Sequence, residues 1–400
     1  MISVVGVTHK TAPLEVRERF AFSNRTAVGI LRSVPFEAFL LVTCNRCELY
    51  GTAAATVLRQ VLLDAAGAPG QTPLMAHEGP AAVRHLLAVA AGLDSMVVGE
   101  PQILGQVRQA LALAAEAGRL GPVLSRLGQH ALICGRRVRR ETALGRGQPS
   151  VPRVAAGVVR HVLSDLSGRV VVVVGAGEMG ALAARTFGQA GAQVVVASRT
   201  ARSAEEAARS AGGQAAVLDE LDALLERADA AIFCTGSPAP VLGVERVRRI
   251  MEARGSRPLV VVDVALPRDV APDVRDVEGV RLYDLDDLRA HAPAPLALQA
   301  VEAAWAVVEQ ETERFLRWMS SRRAVPAIQA LRRRADAIVE EEVARAGGDP
   351  EALRRFGQRV VNRLLHHPVV RMRERAGAGA LTYLEIARDL FGLDGAQGDG

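Results

Sequence analysis

The stretch Arg169-Val170-Val171-Val172-Val173-Val174-Gly175-Ala176-Gly177-Glu178-Met179-Gly180 decides the fold. A run of consecutive valines lacks the polar alternation of a half-exposed strand. It predicts a strand covered on both faces, as in the middle of a parallel sheet. The glycines that follow have the G-x-G-x-x-G spacing and lead into the alanine-rich segment Ala181–Ala190, which predicts a helix. Gly175 suits a tight turn, Gly177 lets backbone approach a pyrophosphate, and Gly180 lets helix and strand pack closely. Ala176, Glu178 and Met179 complete the turn, and the helix N-terminus aims N–H groups and a positive dipole end at phosphate. A dinucleotide site is expected over 175–180.

One βα unit later the sequence indicates which dinucleotide. The next strand, Gln193–Ala197, is followed by Ser198-Arg199-Thr200, where an NAD site would usually place an acid for the ribose hydroxyls. A carboxylate would repel a 2′-phosphate, whereas Arg199 can fork onto it and Ser198 and Thr200 can donate to it. A solvated loop arginine is the plainer alternative; NADP(H) is the expected cofactor.

Further apolar strands are read at Ala230–Cys234, Leu259–Val264 and Gly279–Tyr283, each ending in turn-forming residues. Alternating strands and helices predict a doubly wound sheet with its site at the strands' carboxyl ends. Upstream, Ile2–Thr8, Ala38–Val42 and Glu48–Thr52 read as strands and Gly79–Arg140 as broken helices, a smaller α/β unit. The join is expected at Gly145–Pro149, among helix breakers. Past Asp287 the pattern turns helical. Val301, Trp305, Val308, Thr312, Phe315 and Met319 repeat like a heptad, Pro326 opens a second helix with Ile328, Leu331, Ala335 and Ile338, and Leu353–Leu365 forms a third that stops before Pro368. These stripes have no evident partner in the chain and predict a helical dimer interface. The tail Asp394–Gly400 is expected to be disordered. The fold class is therefore α/β: an N-terminal α/β domain (1–147), a doubly wound nucleotide-binding domain (148–287) and an all-helical C-terminal domain (288–400).

Bulk composition excludes several classes. The 400 residues are 49% hydrophobic, with no N-terminal signal pattern and no apolar run long enough to span a bilayer, so a cytoplasmic protein without membrane contact is expected. Four cysteines, at 44, 47, 134 and 234, give no disulfide framework. The formal charge of +5 permits a nucleic-acid partner without arguing for one. The run Arg136-Arg137-Val138-Arg139-Arg140 reads as a solvated helix face or as a track for a phosphate backbone.

Chemistry concentrates in Thr43-Cys44-Asn45-Arg46-Cys47, read as a polar turn between two strands. Structural zinc would need a second ligand pair, and a redox dithiol usually opens a helix, so no metal is expected. A single nucleophilic Cys44, with Arg46 holding an anionic substrate, and a merely buried cysteine both remain open. His85 lies on an apolar helix, where a core histidine is the ordinary explanation, and His9 is a second candidate base. Lys10, the only lysine, raises a Schiff-base alternative, though its neighbours are not apolar. The segment Gly92–Gln106 is dense in Asp, Ser, Glu and Gln, as a polar-ligand loop would be.

Taken together, Gly6–Pro13, Thr43-Cys44-Asn45-Arg46, Gly92–Gln106, Gly175–Gly180 and Pro326–Arg332 resemble the glutamyl-tRNA reductase family over nearly the whole chain. The resemblance implies NADPH-dependent reduction of glutamyl-tRNA to glutamate-1-semialdehyde, the first step of the five-carbon route to tetrapyrroles (porphyrins). It implies Cys44 as nucleophile forming a thioester and His85 as the activity-critical histidine. Thr43, Asn45, Arg46, Ser95, Glu100, Pro101, Gln102 and Gln106 are then the glutamyl-binding residues. A homodimer, and contact with the aminotransferase that consumes the semialdehyde, are the implied partnerships. Cys47 departs from the family's usual small residue, and Pro152 from its usual serine. The competing readings are a cysteine-dependent NADP aldehyde or acyl-phosphate reductase, and a non-catalytic NADP-binding dimer.

The missing acid after the second strand carries a prediction. Arg199→Ala should weaken NADPH binding by about ten- to a hundredfold, the value of a charge-assisted contact, and leave NADH binding nearly unchanged. Paired binding titrations of both dinucleotides check it.

Overall fold

The structure is a computed structural model that describes residues 1–145, 150–255, 257–291, 298–377 and 382–393. Most of the expected join, 146–149, and the tail, 394–400, lie outside the described residues. The chain divides into two compact units, Met1–Val308 and Glu309–Gly400.

The first unit opens with β1 (Ser3–Thr8), α1 (Leu14–Glu18), α2 (Asn24–Ser33), β2 (Ala38–Val42), β3 (Arg46–Gly51), α3 (Ala55–Ala66) and β4 (Met75–Glu78). The strands form an antiparallel sheet in the order β2-β3-β1-β4. Then come α4 (Pro80–Ala91), α5 (Ile103–Glu116) and α6 (Pro122–Glu141). The Cys44 turn is tighter than expected: Arg46 and Cys47 already belong to β3, pairing with Thr8 and Val7 across the sheet. Only Thr43, Cys44 and Asn45 separate β2 from β3, because ladder pairing satisfies more backbone groups than a longer loop would. The short strand β4 and the following α7 (Val151–Leu163) went unread; β4 is an exposed edge without an apolar run.

Beyond α7 lie β5 (Val170–Val174), α8 (Glu178–Gln189), β6 (Gln193–Ser198), α9 (Ala201–Arg209), β7 (Gln214–Val217), α10 (Leu221–Arg227), β8 (Ala230–Phe233), α11 (Val244–Arg254), β9 (Leu259–Asp263), β10 (Val280–Tyr283) and α12 (Leu285–Ala290). All six strands are parallel in the order β10-β9-β8-β5-β6-β7, the doubly wound topology expected. Strand β7, with two exposed residues at the sheet's edge, was not anticipated. The valine run of β5 explains itself: Val171 and Val173 enter one core with Ala183 and Phe187 of α8, and Val172 and Val174 enter the core on the other face with Leu224 and Leu225 of α10. Gly175 has φ +113, and a Cβ on Gly180 would fall 1.9 Å from the Gly175 carbonyl oxygen. Both positions require glycine for the turn and the close crossing.

Helix α13 (Leu298–Ser321) carries the heptad-like stripe, of which Val308, Thr312 and Phe315 are buried. The second unit then contains α14 (Val325–Arg345), α15 (Pro350–Gly377) and α16 (Thr382–Leu390). The expected stop before Pro368 is wrong. Leu365, Val369, Met372 and Ala376 form one buried stripe across the proline, packing with Ile328 and Leu331 of α14 and Leu384 of α16. That continuous burial outweighs the lost hydrogen bond. Ile328 and Leu331 therefore find their partners within the chain. Exposed apolar surface remains instead at Ile338, Phe356, Val360 and Leu364, along a groove between α14 and α15.

A proline inside α15 leaves the residue 364 carbonyl without its helical donor, so Pro368→Ala should stabilise the helix by about 1–3 kcal/mol. Thermal unfolding of the full chain should show a higher midpoint.

Candidate active site

Alternation along β3 builds the site. Arg46, Glu48 and Tyr50 fall two residues apart and share one face of the sheet, while Cys47 and Leu49 face the other. Glu48 is fully buried and accepts from Arg46 Nη1 at 2.7 Å, Tyr50 Oη at 2.7 Å and His85 Nε2 at 3.0 Å. Burial alone would push the Glu48 carboxyl up. The Arg46 guanidinium, then His85 and the hydrogen bonds, hold it far below the usual carboxylate range. Tyr50 is pushed up by burial and by the Glu48 charge. His85 reaches this carboxylate from α4, so it is neither an inert core histidine nor isolated; its ring also lies 5.1 Å from His77. With Nε2–H donated to Glu48, Nδ1 is the acceptor nitrogen.

The loop 92–102 closes over the other side. Arg46 Nη1 reaches Asp94 Oδ2 at 3.0 Å and Nη2 donates to the Asp94 carbonyl, while Lys10 pairs with the Asp94 carboxylate. Lys10 thus serves an ion pair. Glu48, His85 and Asp94 bring ligand-type atoms within 4.8 Å of one another, but Arg46 and Lys10 between them already pair both carboxylates, and the guanidinium opposes a metal cation there.

Thr43 shapes the turn, its Oγ1 accepting from Asn45 N at 3.1 Å and Arg46 N at 3.2 Å. Cys44, half-buried, packs against the core that holds Met96 and Val97 of the loop. Burial, then the Glu100 charge, push its thiol up to about 12; Arg17 and Arg46 oppose the shift. Cys47 is 2% exposed on the opposite face, raised by burial, and is not brought to the site. Glu100 is buried and pushed up to about 7 by that burial, with Arg46 opposing. Ser95 and Gln102 are also buried, Gln106 is half-buried and Pro101 is exposed. Among the described residues, Asn45 Oδ1 and Gln102 Oε1 are buried acceptors without a hydrogen-bond partner. His9 is buried too, its ring held down to about 4 by burial and then by Arg46. The basic run on α6 is partly internal: Arg139 donates to the Glu100 carbonyl at 2.9 Å and so holds the loop, while Arg137 and Arg140 pair with Glu141.

The nucleotide cleft, about 430 Å³, opens at the carboxyl ends of β5, β6 and β8. It is lined by Gly175, Ala176, Gly177, Ser198 and Arg199 from the expected set. Gly177, with open space where its Cβ would stand, begins α8 with no side-chain cap, leaving N–H groups for a phosphate. No acid stands among the lining residues, which fits a 2′-phosphate. Glu178, Met179 and Gly180 form the first turn of α8 rather than the lining, and Thr200 caps α9 by accepting from Ser203 N. Sequence reading missed Ser203 and the stretch Thr235-Gly236-Ser237 as lining; the rule that ligands sit at strand carboxyl ends could have found the latter. Likewise the period of two from Arg46 could have found Glu48 and Tyr50.

Comparisons with known proteins bear on each part of the chain. Residues 5–142 match the family described as glutamyl-tRNAGlu reductase, N-terminal domain; 157–291 match shikimate / quinate 5-dehydrogenase; 303–393 match glutamyl-tRNAGlu reductase, dimerisation domain. A glutamyl-tRNA reductase of Rubrobacter xylanophilus is 42% identical, covering 99% of this chain and 97% of its own. One of Myxococcus xanthus is 39% identical, covering 97% and 93%. The solved glutamyl-tRNA reductase from Methanopyrus kandleri is 32% identical, covers 98% of this chain and 99% of its own, and has a TM-score of 0.49. With identities of 42% and 39% to the Rubrobacter and Myxococcus proteins sustained over nearly the whole length, the chain belongs to the glutamyl-tRNA reductase family.

Proposed function

We propose that this chain reduces the glutamyl ester of tRNA(Glu) with NADPH, releasing tRNA and glutamate-1-semialdehyde, as the first step of tetrapyrrole synthesis. The observation that carries it is the pair of buried, unpartnered acceptors, Asn45 Oδ1 and Gln102 Oε1, on the two segments that flank Cys44. A buried orphan acceptor costs about 1–3 kcal/mol, and the α-ammonium of a glutamyl group supplies the missing donors. Thr43, Ser95, Glu100, Pro101 and Gln106 complete the glutamyl site. Arg46 belongs to the glutamyl site as well and, shared between Glu48 and Asp94, fixes the turn that carries Cys44.

The Cys44 thiolate attacks the ester carbonyl, the ribose hydroxyl of the tRNA leaves, and glutamate remains as a thioester. His85, oriented by Glu48, takes the Cys44 thiol proton on Nδ1 and passes it to the departing ribose oxygen. When bound, NADPH would supply the hydride that takes the thioester to the aldehyde, with the Cys44 thiolate as the leaving group. Gly175, Ala176, Gly177, Glu178, Met179 and Gly180 receive the pyrophosphate, and Ser198, Arg199 and Thr200 the 2′-phosphate end. We assign 1–147 to the catalytic domain, 148–287 to the NADP(H) domain and 288–400 to dimerisation, with Ile338, Phe356, Val360 and Leu364 at the homodimer face. No described helix is long and apolar enough to cross a membrane; we place the reaction in the cytoplasm, where the semialdehyde's aminotransferase is a further partner.

Without NADPH, glutamyl-tRNA labelled in the amino acid should label the wild-type protein, and neutral hydroxylamine should release the label. Cys44→Ser should abolish both label and NADPH oxidation, whereas Cys47→Ser should keep both. Reduction by Cys44→Ser without a covalent species would overturn the thioester.

The Glu100 charge opposes the Cys44 thiolate, so Glu100→Gln should raise alkylation of Cys44 by iodoacetamide at pH 8.5, by roughly three- to tenfold. Near pH 6, where Glu100 is mostly protonated in the wild type, the two rates should converge.

A further inference from the structure

Arg17 is an anomaly that the reaction just described does not use. It lies on α1, a helix of 5 residues, yet its side chain is 1% exposed. Burying a guanidinium costs several kcal/mol unless it is paired and hydrogen-bonded, so its partners carry information. At one end Nη1 donates to the carbonyl oxygen of Cys44 at 2.9 Å. At the other, Nη2 meets Asp286 Oδ1 at 2.5 Å, in the first turn of α12. Nε is buried without a partner among the described residues, so the guanidinium is committed through these two ends.

Asp286 is itself held in place. Its backbone N–H donates to the capping carboxylate of Asp284 at 2.9 Å, and its second oxygen accepts from Leu14 N at 3.1 Å, at the start of α1. Two further links join the same segments. Arg268, in the turn after β9, donates to both oxygens of Glu18 at 2.9 and 2.7 Å and reaches Glu15 at 3.1 Å. Arg289 of α12 donates to the His9 carbonyl at 2.8 Å, and His9 N donates to the Asn45 carbonyl at 2.8 Å. The carbonyls of the nucleophile and of Asn45, within the turn itself, are thus clasped from the carboxyl-end side of β9 and β10, the side on which a doubly wound sheet binds its ligand.

We infer that Arg17 is a positioning residue that registers the Cys44 turn against the nucleotide-binding domain, with Asp286 as its anchor there. The inference rests on the proposed two-step reaction and separates its steps. Forming the thioester needs Cys44 and the glutamyl site alone. Reducing it needs the same carbonyl carbon brought to the hydride donor, and a misplacement of about 1 Å can cost a hundredfold in rate. Arg17 also stands nearest in effect among the cations that oppose the rise of the Cys44 thiol, so it serves the first step by charge and the second by geometry.

The test uses the full-length protein and three readouts: labelling by glutamyl-tRNA without NADPH, NADPH oxidation with glutamyl-tRNA, and NADPH binding by fluorescence. Asp286→Asn removes the anchor charge outside the glutamyl site. It should leave the labelling rate within about twofold of wild type and the NADPH Kd unchanged, while the maximal rate of NADPH oxidation falls by about tenfold or more. Arg17→Lys, which keeps the charge but cannot span both partners, should show the same split with a smaller loss in labelling than Arg17→Met. If Asp286→Asn proves unstable, Arg268→Gln tests the parallel link for the same separation of labelling from reduction. Equal losses in labelling and oxidation, or no loss in either, would overturn the inference. Wild-type protein that neither labels nor oxidises NADPH would instead overturn the reaction on which it rests.

Discussion

The N-terminal part of the molecule is organised around one buried carboxylate. Glu48 sits in the middle of β3 with no exposure, and a lone carboxylate there would cost several kcal/mol. Its three donors come from two elements: Arg46 and Tyr50 on the same strand face and His85 on α4. Arg46 in turn binds Asp94, and Asp94 binds Lys10. Satisfying one buried charge therefore ties the strand, a helix, the loop 92–102 and the first turn of the chain into one arrangement. Cys44 stands in the turn that leads into that strand, so the same network fixes where its thiol can be.

Two glutamates in this site show how environment sorts identical side chains. Glu48 is buried but opposed by Arg46 and His85, and stays charged. Glu100 is nearly as buried, with only Arg46 opposing the burial, and titrates to about 7. The first is structural at any physiological pH. The second changes charge near neutrality, beside a thiol whose ionisation it opposes. Separating a permanent charge from a titrating one lets the turn remain rigid while the nucleophile's surroundings respond to pH.

The nucleotide-binding half is organised by close approach rather than by charge. Small residues let α8 cross β5 where any side chain at Gly180 would collide with backbone, and the turn is left open at Gly177 for a phosphate. The two halves meet through ion pairs, Arg17 with Asp286 and Arg268 with Glu18, and through Leu14, Met96 and Val97, which share an apolar core with one face of the parallel sheet. The helical unit is built differently again, on an apolar stripe continuous enough to carry α15 through a proline.

The amino-acid sequence by itself determined whatever depends on neighbours along the chain. The valine run and glycine spacing of 170–180, the absence of an acid after Ser198, and the polar turn at Thr43–Cys47 are local patterns, and the elements they predict are present, the turn in the shorter form Thr43–Asn45. Edge strands β4 and β7 were not legible, because an exposed strand need not carry an apolar pattern. Nor was the passage of α15 through Pro368, since local propensity ends a helix there and only packing against α14 and α16 continues it. Tertiary structure alone decided that Arg46 is shared between Glu48 and Asp94, that Arg139 braces the loop, and that Arg17 is buried. Apart from the Arg46–Glu48 contact along one strand face, each of these charges is held by residues far away in sequence, and the energy of burying a charge depends on which partner arrives, which no local pattern encodes.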